Sequence, residues 1–427
     1  MARQLSDWLT YYMKVTQRTE SPELYHLWSG LAAISSALQR RCYCDWGKLR
    51  GKVYPNMFIA LVGPPGGRKG SAMKIAKGMV QSLEFPMGAD SLGSTPALYK
   101  EIMDSEQTYI DSAGMSHKHK SLSIWAEEFQ VFLSDRDQTL IPSITDLFDC
   151  ADKWTYKTLA RKSEDLSNCW LTIIGAITPA LLQSCLSSTS VGGGLISRII
   201  FVVGQGPKQR IALQYLTEED NEIYANLTKD LQEIALLTGP FTMDKSFFKA
   251  YVRWYENGTN EDGVPNDRFL GYNSRRALHL NKICMLISAS MSNDMIITDE
   301  HFYIALAILE VTEREMPYAF HGLGMSQKAN VYAKMLSFIE SKIGIGYDWN
   351  ELVRTFHLDV DNIQQLRDYT DMAVTSGLIT EEKSVSGSNH YTVTIPERHI
   401  EDVSCLDKTI FKLMDRNIIG DTNLIEE

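Results

Sequence analysis

The chain has 427 residues, 44% of them apolar and 22% charged, with a formal net charge of −11. That length suits roughly two to three domains, and the composition excludes a disordered or collagen-like chain. The acidic balance excludes a broadly basic nucleic-acid binder, so any nucleic-acid contact is expected to be local, in a patch or a channel.

The longest apolar run, Cys169 to Leu182, is about 14 residues long and contains Pro179, too short for a spanning helix. The N-terminal residues lack a basic region followed by an apolar core, so no signal peptide is expected and no membrane partner either. The cysteines, at 42, 44, 150, 169, 185, 284 and 405, have no zinc-site spacing and read as reduced thiols. Sequons at Asn226 and Asn257 carry no meaning in the cytoplasmic chain expected from these features.

Residues 1–50 read as a helical region. Leu5, Trp8, Leu9 and Met13 recur at helical spacing, and Ser21 is the expected cap of a second run from Pro22 to Leu38. A basic stretch (Arg40, Arg41, Lys48, Arg50, Lys52) leads out of it. Residues 51–208 change texture to strands alternating with helices. Strands are predicted at Met57–Val62, Ser121–Ala126, Trp170–Ile177 and Ile199–Val203, and helices over roughly 71–84 and from the start signal at Ser94 through Met103. This alternation predicts an α/β fold with a parallel sheet. Within the next region, 209–325, residues 209–322 read as nearly all helix, broken by a loop at 257–267. Residues 326–395 read as three helices and a two-stranded hairpin, the winged-helix pattern, followed by a peripheral tail, 396–427.

The strongest chemical signal is GPPGGRKGS at 63–71, between an apolar strand and a helix. Backbone amides in a loop held open by Gly63, Gly66 and Gly67, which also contains Pro64 and Pro65, can face phosphate oxygens, and the helix N-terminus adds its positive dipole end. Lys69 then supplies a point charge for the β/γ-phosphates. Relative to G-x-x-x-x-G-K-[ST], Arg68 stands where the last glycine is usual and Gly70 where Ser or Thr is usual; Ser71 becomes the candidate magnesium-linked hydroxyl. Nucleotide binding, with ATP and Mg2+, is the expectation.

A second signal is the strand ending in Glu127 and Glu128. One carboxylate can hold the metal or its water and the next can polarise the attacking water, so Glu127 is assigned to the metal and Glu128 to catalysis. Two solvated glutamates opening a helix are the alternative. A third signal is Arg198 at the start of the last strand, able to meet a γ-phosphate in its own or a neighbouring subunit, or to be a strand-edge salt bridge. Thr178 either senses the γ-phosphate or simply caps the helix that opens at Pro179.

The blocks TESPELYHLW (19–28), YPNMFIALVGPPGGRKGSA (54–72), STPALYKEI (94–102), IWAEEF (124–129), LFDCADKWTYKT (147–158), GAITPALL (175–182) and GGGLISRIIFV (192–202) follow one another in order. Together they resemble the phage- and prophage-borne P-loop ATPases found beside, or fused to, DNA primases, over roughly residues 19–322. The resemblance implies an AAA+/RecA-like P-loop NTPase core, a helicase-like activity, and tolerance of Arg68 and Gly70 in the loop. It also implies a homo-oligomeric ring, hexameric by preference, with Arg198 acting across a subunit boundary. On this basis the four regions become an N-terminal helical region, an ATPase core, a helical lid and a winged helix, in a bacterial host's cytoplasm if the chain is phage-borne.

Two stretches suit a single-stranded backbone. Lys153, Trp154, Lys157, Arg161 and Lys162 combine basic and aromatic residues, and Lys118 and Lys120 lie just before the second strand; solvated basic faces are the alternative. Arg275, Arg276 and Lys282 suit either an interface or nucleotide-sensing role, or surface ion pairs. The third winged-helix helix, with Gln364, Gln365 and Arg367 among aspartates, matches duplex DNA poorly and suits a protein partner or a weak DNA contact. The expected function is an ATP-dependent motor on single-stranded or forked DNA, a replicative helicase, with a primase or polymerase as partner. A helicase loader, a duplex translocase and a non-hydrolysing assembly protein are the alternatives.

Overall fold

The computed structural model describes residues 3–393 apart from 90–91, 93, 112, 134–138, 159–160, 186–193, 205–206, 208, 258–262, 321–326, 341–345 and 384–388. The expected tail, 396–427, and the first two glycines of the 192–194 triplet lie outside the described residues. The chain divides into two compact units, one reaching to Phe320 and the other beginning at His321.

In chain order the first unit contains α1 (Trp8–Thr16), α2 (Glu23–Leu38), β1 (Cys42–Asp45), β2 (Lys52–Val53), β3 (Phe58–Val62), α3 (Lys69–Gln81), α4 (Thr95–Asp104), β4 (Glu106–Ile110) and β5 (Ser116–Ala126). It continues with α5 (Leu140–Phe148), β6 (Lys153–Thr158), β7 (Arg161–Ser167), β8 (Cys169–Ile177), α6 (Pro179–Cys185), β9 (Ile199–Val203) and α7 (Glu218–Ile234). Last come β10 (Gly239–Met243), α8 (Lys245–Glu256), α9 (Leu270–Asn273), α10 (Arg276–Met291), β11 (Ile296–Ile297) and α11 (Asp299–Ala319). No helix among the described residues is long and apolar enough to cross a membrane.

The central sheet has the order β4-β5-β8-β3-β9, parallel except for the antiparallel edge strand β4. Every residue of β3, β8 and β9 is buried, the signature of parallel strands covered on both faces. A smaller sheet, β11-β10-β1-β2, lies within the 1–320 unit. Its strands β10 and β11 correct the expectation that 209–322 is nearly all helix: Gly239–Met243 pairs in parallel with β1, whose strand character a basic neighbourhood had hidden.

The expected separate regions at 1–50, 51–208 and 209–325 merge into one unit. The reason is burial on all sides. From Tyr25 to Leu38 every residue of α2 is inside, packed against α1, α3, α7, α10 and the sheet. α10 is buried nearly all round as well, and it packs on α2 and α11. A helix that is apolar around its whole circumference belongs to a core, not to an appended domain. The start of α2 also differs from expectation. Pro22 is the N-cap, without a side-chain cap bond, and the Ser21 hydroxyl instead donates to the Arg68 carbonyl at 3.0 Å.

The second unit contains α12 (Gln327–Glu340), β12 (Tyr347–Asp348), α13 (Trp349–Phe356), α14 (Ile363–Thr375), β13 (Ile379–Lys383) and β14 (Asn389–Val393). Its sheet runs β12-β14-β13, all antiparallel pairs. Met335, Ile339, Leu352, Leu366, Ala373 and Ile379 form its core, so this unit has an apolar centre of its own.

Candidate functional site

β3 ends at Val62, level with Ile177 of β8 on one side and Val203 of β9 on the other. The chain then leaves the sheet as the glycine-rich loop. The Gly63 N–H donates to the Ile177 carbonyl at 3.2 Å, and the Gly204 N–H to the Val62 carbonyl at 3.0 Å, so the loop base is fastened to both neighbours. Below it, the Tyr25 hydroxyl lies 2.7 Å from the Val62 carbonyl and 3.0 Å from the Gly204 carbonyl. A Cβ on residue 63 would fall on that hydroxyl and on the Gly204 carbonyl, so position 63 requires glycine for close approach.

Two residues of the loop have a left-handed backbone, Gly66 at φ +75° and Arg68 at φ +60°. Arg68 thus keeps the conformation of the glycine usual at that position, at a cost of about 1–2 kcal/mol. Its contacts offset much of this. Ser21 donates to its carbonyl, worth about 1 kcal/mol, and its half-exposed guanidinium lies 2.6 Å from Glu20, a pair contributing at most about 1 kcal/mol. Glu20 is in turn held below the usual carboxylate range, first by the Ile211 N–H and then by Arg68.

Lys69 opens α3. Its ammonium donates to the carbonyls of Gly63 at 2.7 Å and Pro64 at 2.8 Å, and burial pulls its pKa below the ordinary lysine value. The first turn of α3 has no side-chain cap and no carboxylate, with Gly70 and Ser71 both exposed. An uncapped helix N-terminus beneath a loop with exposed Pro64, Pro65 and Gly66 fits an anion, and the buried ammonium beside it fits a phosphate.

β5 ends at Ala126, level with Gly175 and, one strand further, with Ala60. Glu127 and Glu128 therefore leave the sheet at the same edge as the loop, two strand spacings or roughly 10 Å across from β3. Both are exposed; Glu128 accepts from the Gln130 amide at 3.0 Å. Gly175 lets Phe129 pack directly behind them, since a Cβ there would lie 2.8 Å from the ring. Lys77 of α3 donates to the Trp125 carbonyl at 3.3 Å and so ties the helix after the loop to the carboxylate strand. Thr178 follows β8 at this edge, and its hydroxyl accepts from the Leu181 N–H at 3.3 Å, as a helix cap does. Ser71, Glu127 and the loop amides are the groups that could hold a magnesium nucleotide.

The remaining expected residues lie elsewhere. Arg198 precedes β9, at the amino end of the sheet, and does not reach the loop of its own chain. It is buried, 2.6 Å from Asp149, with a second bond to the Gly194 carbonyl. Lys118 and Lys120 belong to β5 itself and not to a loop, and both pair with Glu106 of β4, at 2.8 and 3.1 Å. Lys153 is exposed at the start of the β6–β7 hairpin; the side chains of Trp154, Lys157, Arg161 and Lys162 lie outside the described residues. Arg276 is no surface cation: it is buried against Glu313, with Tyr272 donating to the same carboxylate. Lys282 is buried as well, donating to Asn56.

Sequence reasoning missed Glu20, Ser21 and Tyr25 as supports of the loop. The TESPELYHLW block contains all three, but only the fold brings residues 37 to 48 positions apart into contact. Compared with known proteins, the chain matches no family model and no curated protein.

Proposed function

We propose that this chain is an ATP-dependent, oligomeric DNA motor of phage-type replication, a replicative helicase acting on single-stranded or forked DNA. In this reading the larger unit is a P-loop core of AAA+/RecA-like type and the smaller one a winged helix. The observation that carries it is the convergence at one sheet edge: the loop with its uncapped helix after β3, Glu127 and Glu128 after β5, and Thr178 after β8. In open parallel sheets, ligands bind beyond the carboxyl ends of the strands where the strand order reverses. Here β3 lies between two strands that come later in the chain, β8 and β9. The similarity to primase-associated phage ATPases supports the same reading.

On this reading the backbone N–H groups of Gly66 and of residues 68–71, with Lys69, bind the triphosphate, and Ser71 and Glu127 would hold a magnesium ion, which would neutralise charge on the phosphates. Glu128 takes the proton of the attacking water as its oxygen bonds to the γ-phosphorus and the bond to the bridging oxygen breaks, giving ADP and phosphate. Arg198 serves a neighbouring subunit in a ring, hexameric by preference. The order α12-β12-α13-α14-β13-β14 supports the winged helix, and the aspartates of α14 favour a protein partner such as a primase or polymerase over duplex DNA.

Particle size and ATP turnover, measured with and without single-stranded DNA, test the proposal. A ring whose turnover rises with DNA and which unwinds a forked duplex is expected. Turnover indifferent to DNA, with no unwinding, would favour a loader, and nucleotide binding without turnover would favour an assembly protein.

A further inference from the structure

The amino end of the central sheet, opposite the phosphate loop, carries a cleft that none of these roles uses. Two adjoining cavities of about 440 and 570 Å³ share Arg50, Lys52, Tyr54, Asp149 and Cys150 in their walls. The first adds Lys48, and the second adds Arg275 and Lys282. Five cations therefore line one continuous depression in a protein of net charge −11.

The acids in the same walls do not cancel them. Asp149 is held by Arg198 and Asp152 by Arg40, each at 2.6 Å, and neither arginine lines the cleft. Asp45 accepts from the Gly47 N–H, a neutral donor, which leaves the five wall cations facing one carboxylate that no arginine holds. Arg275 and Lys282 each lie close enough to feel both Asp149 and Arg198, which puts three cations around one carboxylate. A cluster with that positive excess calls for an anion from outside.

The cations are also pre-set beside rings. Arg50 lies over Trp46, 4.5 Å from the ring centre, and bonds the Tyr251 hydroxyl at 3.0 Å. Lys52 lies over Tyr43 at 4.2 Å, and half-exposed Tyr255 opens into the second cavity. At its other end the cleft is walled by Cys150, Ala151 and Asp152, which run directly into Lys153 and the β6–β7 hairpin.

We propose that this cleft binds the phosphate backbone of a single nucleic-acid strand, which passes over Lys48, Arg50, Lys52 and Arg275. Cations spaced along two joined cavities, with rings between them, match a strand and its bases. A compact free polyphosphate would occupy one cavity only. The proposal rests on the DNA-motor reading, and it places the strand at the sheet end away from the nucleotide.

Titration of a labelled oligothymidylate into the full-length protein, at several salt concentrations with ATP present, tests it. Arg50→Ala combined with Lys52→Ala alters two exposed side chains and should leave folding intact. Affinity should fall about 10-fold or more, and the salt slope should drop by about 1.4, roughly 0.7 for each lost contact. Arg275→Gln should weaken binding in the same direction. ATP affinity and DNA-free turnover should not change in the Arg50→Ala, Lys52→Ala variant. Unaltered oligonucleotide affinity in both would overturn the proposal. So would a loss of tripolyphosphate binding with the strand affinity intact, which would assign the cleft to a free polyphosphate. Absence of strand binding in the unaltered protein would also overturn it, while ATP binding abolished by Lys69→Ala would leave the phosphate-loop reading standing.

Discussion

The Tyr25 hydroxyl lies 2.7 Å from the Val62 carbonyl, the last backbone oxygen before the glycine-rich loop. A helix from the start of the chain thereby holds the floor of the loop, and shares the same proton with the Gly204 carbonyl at 3.0 Å. Tyr25→Phe leaves both buried carbonyls short of that donor and should cost about 1–3 kcal/mol in urea unfolding. Gly63→Ala should cost more, because its methyl would fall on the same hydroxyl and on the backbone behind it.

Arg68 combines a left-handed backbone with an ion pair to Glu20. Arg68→Gly relieves strain of about 1–2 kcal/mol and gives up a pair worth at most about 1, so stability should stay within about 1 kcal/mol of the unaltered chain. Arg68→Val has no such relief and a branched Cβ, and should lose about 2 kcal/mol or more. Equal losses for glycine and valine would contradict this account.

Lys69 and Glu128 should separate binding from chemistry. Lys69→Ala removes a charged donor worth about 1.5–3 kcal/mol, so ATP affinity should fall roughly 10- to 100-fold. Glu128→Gln should bind ATP normally and hydrolyse it about 10²- to 10⁴-fold more slowly. Equilibrium binding of a fluorescent ATP analogue and single-turnover hydrolysis measure the two quantities.

Arg276 and Glu313 form a buried pair, Nε at 2.9 Å from both carboxylate oxygens, with Tyr272 completing the shell. Glu313→Ala takes the nearest carboxylate from a guanidinium that is 2% exposed, leaving Glu310 at 3.7 Å, and should destabilise by about 3 kcal/mol. Replacing Arg276 and Glu313 together with Met and Leu should cost much less. Chemical denaturation of the three proteins distinguishes a pair from two independent residues.

Burial draws His26 and His119 down to about 4 and His279 to about 3. Unfolded imidazoles take up protons near pH 6.5, so between that value and the folded pKa the unfolded state binds more protons. Their contribution is therefore complete above pH 6.5 and is lost as pH falls toward 4. At pH 5 each should have cost about 2 kcal/mol relative to pH 7. Urea midpoints should drop over that interval, and His26→Asn should drop less steeply; a flat profile would show that these rings are not buried neutral.

Where the signal was local, the sequence was legible. β9 runs from Ile199 to Val203 as expected, β3 starts one residue late, and Ser94 caps α4 by accepting from Ala97. The loop, the lysine and the two glutamates sit where strand ends place them. What pattern could not show was long-range partnership. Lys118 and Lys120 look like a basic face until β4 brings Glu106 alongside. Arg276 looks like a surface cation until a carboxylate 37 positions away meets it. α2 and α10 read as helices in either case, and only burial on every side, of His26 and Lys282 as well as of apolar residues, shows them to be core.

β9 also acts as a ruler. Arg198 stands just before it and Gly204 just after, six residues apart in extended chain, which at ~3.3 Å each is about 20 Å. Gly204 touches the base of the glycine-rich loop, whereas Arg198 stands at the other end of that span. No side-chain rotation closes such a gap. Arg198 already has its anion within its own chain, Asp149 at 2.6 Å, so the arginine and the loop anchor opposite ends of one strand to different partners.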